Sequence, residues 1–64
     1  PAYALKLLEE AIRIDWKVMQ RYRRRATRSA QLGDHRNEDF ERHIARDAKD
    51  ELHTLISIRS ASRF

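Results

Sequence analysis

Apolar residues recur at helical intervals along two long stretches of the chain, and no segment alternates with period two. At 100° per residue, Leu8, Ala11, Ile12, Val18, Met19, Tyr22 and Ala26 share one side of the first stretch. Phe40, Ile44, Ala48, Leu55 and Ile58 share one side of the second. The only glycine, Gly33, lies between them. Glycine suits the left-handed residue just past a helix end. Asp34 or Asn37 is then placed to cap the next helix, and Glu38, Asp39 and Glu41 follow where the helix dipole favours anions. The pattern predicts an all-α fold: an antiparallel two-helix hairpin in a single domain, 1–64. Helix 1 is expected over about 3–32, a turn over 33–36, helix 2 over about 37–60 and a frayed tail over 61–64.

Carboxylates interrupt both apolar stripes. Asp15 falls near the centre of the first, in RIDWKVMQRY (13–22). Asp47 and Glu51 fall on the second with His43 at its edge, and the three are spaced i, i+4, i+8 as one ridge. Folding the chain about Gly33–Asp34 sets position n opposite roughly 68 − n, as antiparallel helices joined by a short turn require. Asp15 then comes within one turn of Glu51, Tyr22 is level with Asp47, and Ala26 with His43.

A hairpin of this size buries little surface and leaves one face of each helix uncovered. Pairing of two copies into a four-helix bundle is the expected remedy. A twofold axis near this level would gather two copies of Asp15 and Glu51, and four such carboxylates need protons, arginine partners or a metal. Two readings stand side by side. In the structural one, Asp15 or Asp47 pairs with Arg25, another arginine or Tyr22, or helix 1 is rotated so that Asp15 reaches water. In the other, Asp15, Asp47 and Glu51, with His43 as a nitrogen donor, form a metal site. Oxygen donors with an occasional imidazole suit iron or manganese.

IDWKVMQRYRRRA (14–26) is similar to the first metal-binding helix of the ferritin-like superfamily, in which an acid precedes a tyrosine by two turns; Asp15 and Tyr22 occupy those places. HIARDAKDELHTL (43–55) resembles the family's second helix, which carries Glu-x-x-His, with Asp50-x-x-His53 as the nearest match. LLEEAIRIDW (7–16) resembles the opening helix of the short, encapsulated ferritins. The resemblance implies a half-ferritin hairpin that dimerises to complete a di-iron site, with ferroxidase activity or iron storage as its function, and Tyr22 hydrogen-bonded to a ligand. Three departures matter. The first acid is Asp15 unless Glu9 or Glu10 takes that part, the second motif has Asp50 in place of Glu, and the wheel turns His53 away from Phe40 and Ile44. Glu10, Asp50 and His53 are therefore reserve candidates.

Charge adds an alternative function. The chain has a net charge of +4, with 38% charged residues. Residues 1–32 hold 8 Lys/Arg against 3 Asp/Glu, whereas residues 33–64 hold 6 against 7. The basic excess is concentrated in QRYRRRATR (20–28), where Arg21, Arg23, Arg24, Arg25 and Arg28 spread around most of the helix. These arginines fit a solvated helix end paired with Glu38, Asp39, Glu41 and Asp47. They also fit phosphate neutralisation on a nucleic acid, or docking of an acidic protein onto a small dimeric interaction hairpin. Leu7 and Ile14 widen the apolar surface beyond one stripe and point to a second neighbour or a larger assembly. Trp16 is expected to pack at the margin of the stripe, and His35 and His53 to be solvated.

The remaining chemistry is largely excluded. With no cysteine there is neither a disulfide nor a cysteine–histidine zinc spacing. No phosphate loop or nucleophile–base–acid set is present, and no apolar run approaches the roughly 20 residues that span a bilayer. A soluble, cytoplasmic protein without membrane contact is the expectation.

Overall fold

A computed structural model describes residues 2–62. The described residues form two helices, α1 (Ala2–Gln31) and α2 (His35–Ala61), and no strand. They pack along their length as a hairpin with extents of 48 × 15 × 11 Å. Asp15 faces Glu51 and Ser29 bonds Glu41, which is the antiparallel register expected from a turn at Gly33–Asp34. The predicted tail begins inside α2, because Ala61 is still helical and Ser62 closes the helix with its N–H on the Ile58 carbonyl at 3.0 Å. The last two residues of that tail lie outside the described residues.

The turn is shorter than the four residues expected, and the hydrogen bonds at the end of α1 explain why. Gly33 N–H donates to the Ala30 carbonyl at 3.1 Å, and Asp34 N–H donates to the Ser29 carbonyl at 2.9 Å. This pair of bonds is a Schellman cap, which needs a left-handed residue just past the helix. Gly33 supplies it with φ +74°. Asp34 then becomes the N-cap of α2 in the next step of the chain: its side chain accepts from Asn37 N–H at 3.3 Å and from Asn37 Nδ2 at 2.8 Å. One residue ends one helix and its neighbour starts the other, so no free loop remains. A Cβ on Gly33 would meet nothing within 4 Å. Gly33→Ala is therefore expected to lower stability by about 1–2 kcal/mol through backbone conformation alone, and Gly33→Asn by less, since Asn tolerates this region. Equal thermal midpoints for the two variants would contradict that account.

The helix–helix seam follows a steps-of-three-and-four pattern. In α1 it runs through Leu5, Leu8, Ile12, Asp15, Met19, Tyr22, Ala26 and Ser29, all buried or half-buried. In α2 it runs through Glu38, Glu41, Ala45, Ala48, Leu52 and Leu55, again buried or half-buried. This is the spacing of a left-handed two-helix seam. Ala26, Ala45 and Ala48 contribute small side chains to the seam, and Met19 and Leu52 its large buried ones.

The inward side of α2 differs from the sequence expectation. Phe40 is 62% exposed, Ile58 46%, and the Asp47 side chain 65%. Ala45 and Leu52, absent from the expected stripe, are buried. The apolar centroid of α2 is displaced because Phe40, Ile44 and Ile58 form a flank beside the seam rather than the seam itself. Only Met19, Ala26, Ala45 and Leu52 are fully buried among the described hydrophobic residues, while Leu7, Ile14, Trp16, Phe40 and Ile58 are half or more exposed, or nearly so. The core is thin for a chain of 64 residues.

Candidate functional site

Asp15 occupies a seam position, in the slot where the steps of three and four call for an apolar side chain. Its Oδ2 is buried and has no hydrogen-bond partner. The group beside it is the Glu51 carboxyl, on the exposed shoulder of α2. Two carboxylates have no donor between them, so they bond only when one holds a proton. That hydrogen bond to Asp15, then repulsion by the Asp15 charge, then partial desolvation raise the Glu51 pKa above its ordinary 4.5.

No cation relieves this pair. The three ion pairs among the described residues are His35–Glu38, Arg42–Glu38 and His43–Asp47, all within α2. Arg25, the arginine suggested as a partner for the acids, instead lies over the Tyr22 ring, 4.9 Å from its centroid. Rotation of Asp15 into water is likewise not what the chain adopts, since its Oδ2 is covered. Glu38 has the opposite environment to Glu51. Its carboxylate accepts from His35 Nδ1 at 3.0 Å and from Arg42 Nε at 2.9 Å, and these bonds lower its pKa below 4.5.

These opposed shifts give a pH signature. The folded pKa of Glu51 is raised, so its stabilising protonation is present below about pH 4.5 and is lost as pH rises through the raised value. The folded pKa of Glu38 is lowered, so its stabilisation is present above 4.5 and lost as pH falls through the depressed value. The thermal midpoint is expected to rise as pH falls through the raised Glu51 value toward 4.5, then to fall as pH drops through the depressed Glu38 value. Asp15→Asn should flatten the first limb and leave the second. A first limb of unchanged slope in that variant would refute the coupling.

The other sequence candidates lie apart from this pair. His43 and Asp47 form an exposed link, Nε2 to Oδ2 at 3.4 Å. They sit on the outer side of α2, because seam positions 45 and 48 bracket Asp47 and turn it outward. Asp50 and Glu10 are exposed. His53 is exposed and borders a groove with Lys49 and Ile56 instead of joining Asp15. Among the described residues of one chain there is no group of three or more His, Cys, Asp or Glu side chains able to hold a metal. The ridge His43–Asp47–Glu51 is thus not a ligand set within a single hairpin, and what the fold brings together is Asp15 with Glu51. Tyr22 is half-buried in the seam two turns beyond Asp15.

The arginines of 20–28 divide among several surfaces. Arg21, Arg24 and Arg25 border a shallow outer groove with Trp16, Lys17 and Gln20. Arg23, Arg24 and Arg28 border another with Thr27 and Gln31. None is paired with Glu38, Asp39, Glu41 or Asp47: Glu38 is engaged inside its own helix and Glu41 accepts from Ser29 Oγ. Sequence reasoning missed one basic feature. Arg42, Arg46 and Lys49 of α2 converge with Arg23 on one side of the hairpin. Their i, i+4, i+7 spacing was the available signal, overlooked beside the denser run in α1.

No helix among the described residues is long and apolar enough to cross a membrane. Comparison with protein-family models, with curated proteins and with solved structures found no match.

Proposed function

We infer that this chain is half of a carboxylate metal-binding bundle, completed by a second copy and loaded with iron or manganese. The observation that carries this reading is the buried Asp15 Oδ2 without a donor, set against the Glu51 carboxyl. An unrelieved acid pair destabilises a fold, and a divalent cation is the partner that would convert its repulsion into attraction.

The route to a full site is pairing through the flank that bears the acids. Ile44, Leu55, Phe40 and Ile58 lie on that side of α2, and Val18, Leu7 and Ile14 on that side of α1, by helical position relative to Glu51 and Asp15. The exposure of Leu7, Ile14, Phe40 and Ile58 leaves an apolar surface for a second copy. Two copies would supply four carboxylates, a donor number and type suited to iron or manganese. The order of helices and the Asp15–Tyr22 spacing are the features that a ferritin-like origin rests on. Asp50 and His53, the Glu-x-x-His-like pair, contribute nothing to the Asp15–Glu51 pair within one hairpin.

When bound, the metal would supply a redox-active or Lewis-acidic centre. Asp15 and Glu51 would hold it, the apolar flank would exclude water, and the shared proton would leave on loading. Purified protein is expected to bind ferrous iron or manganese at about one or two ions per dimer, with affinity falling in acid as protons compete. Elemental analysis combined with solution mass is the test. A strict monomer that retains neither metal after equilibration overturns the reading.

A further inference from the structure

We propose that the side of the hairpin opposite the acid pair is a docking groove for an acidic amphipathic helix of a partner protein. Two adjoining depressions between α1 and α2 make up this groove. One, of about 410 Å³, is lined by Ile12, Trp16, Met19, Leu52, His53 and Ile56 together with Arg23 and Lys49. The other, of about 200 Å³, continues toward the turn between Arg23, Arg42, Arg46 and Lys49 over Ala45. Arg23 and Lys49 border both, so the two form one channel. From Arg42 to Ile56 it spans about 21 Å of helix at 1.5 Å per residue, the length of about four turns of a guest helix.

The lining selects the occupant. Its floor is apolar at the end away from the turn, which matches the apolar stripe of an amphipathic helix. Its rim is cationic. Arg42 is held by Glu38 at 2.8 Å, but Arg23, Arg46 and Lys49 have no carboxylate partner among the described residues. A second copy of this chain docking here would oppose these cations to their own duplicates, a like-charge contact that disfavours homodimerisation on this side. A partner carrying Asp or Glu on both margins of an apolar ridge satisfies floor and rim together. A nucleic acid would satisfy the rim but leave Ile12, Leu52 and Ile56 against phosphate or sugar.

Trp16 borders the groove and is the only tryptophan in the chain, so its emission reports occupancy. The full chain is titrated with three probes: a synthetic helix of about 14 residues with leucine on one stripe and glutamate elsewhere, its lysine counterpart, and a single-stranded polyuridine RNA. The acidic peptide is expected to shift Trp16 emission saturably to the blue. Raising salt from about 50 mM to about 300 mM should weaken binding. Arg46→Glu with Lys49→Glu should weaken it about tenfold or more, and Asp47→Asn, exposed and away from the groove, should leave it unchanged. No saturable shift, an equal response to the lysine peptide, or indifference to Arg46→Glu with Lys49→Glu overturns the proposal. Tighter binding of the RNA than of the acidic peptide overturns it as well, and assigns the groove to nucleic acid. The metal reading stands or falls separately, because none of these readouts involves metal.

Discussion

Asp15→Leu should make the metal-free hairpin more stable and at the same time abolish the metal uptake proposed for it. Asp15 stands in a seam position between Ile12 and Met19, and its Oδ2 is covered without a donor. An unsatisfied buried polar group costs about 1–3 kcal/mol, and a leucine there would add apolar contact. For a domain of this size a gain of 1 kcal/mol raises the thermal midpoint by about 4–8 °C. A residue that weakens the apo fold is retained where its chemistry is used, so opposite changes in stability and uptake are the signature of a working site. Asp15→Asn separates the contributions: it removes the charge, keeps the shape and should abolish uptake with a smaller stability gain. Thermal unfolding of the apo proteins and elemental analysis after metal equilibration read both quantities. If Asp15→Leu lowers the midpoint, the carboxylate has a stabilising partner in solution and Asp15 is not an orphaned ligand.

Leu52→Ala is expected to produce the largest loss of stability of any single truncation. Leu52 is 6% exposed and lines the same groove as Met19 of the other helix, itself 3% exposed. Truncating a buried leucine costs about 2–5 kcal/mol, transfer and cavity together. A domain of 64 residues holds only about 3–10 kcal/mol in total. The variant should therefore be substantially unfolded at room temperature, with helical circular dichroism well below the parent. Ile58→Ala, at a position 46% exposed, is the companion measurement. It should leave the helices of the dilute hairpin intact but weaken self-association if the apolar flank is a contact between copies. Should Ile58→Ala unfold the chain as completely as Leu52→Ala, the flank belongs to the folding core and not to a contact between copies.

The two helices and their break were legible from local chemistry. A single glycine followed by Asp34 specifies a left-handed cap and then an N-cap, and both depend only on neighbouring backbone atoms. The level of contact between the arms followed from that break, because a short turn sets antiparallel register; this is why Asp15 and Glu51 were anticipated at one height. The face of α2 was not legible. Its apolar residues include both seam and flank, and a helical wheel averages them into one direction. Packing separates them: Ala45 and Leu52 go inward because small and branched side chains fit between the helices, while Phe40 stays outside.

The same rotation decided the fate of the charges. His43 and Asp47 were placed beside Glu51 by spacing along one ridge, but the seam passes on the other side of that ridge and turns both outward. The sequence by itself determined two helices, their break and their register, since those are set by residues adjacent in the chain. Only the tertiary structure decided that the Asp15 Oδ2 lies covered without a partner while its carboxyl meets Glu51, and that Arg23 joins Arg42, Arg46 and Lys49 in one groove. Both depend on the rotation of each helix about its own axis, which is settled by the fit of side chains between the two helices.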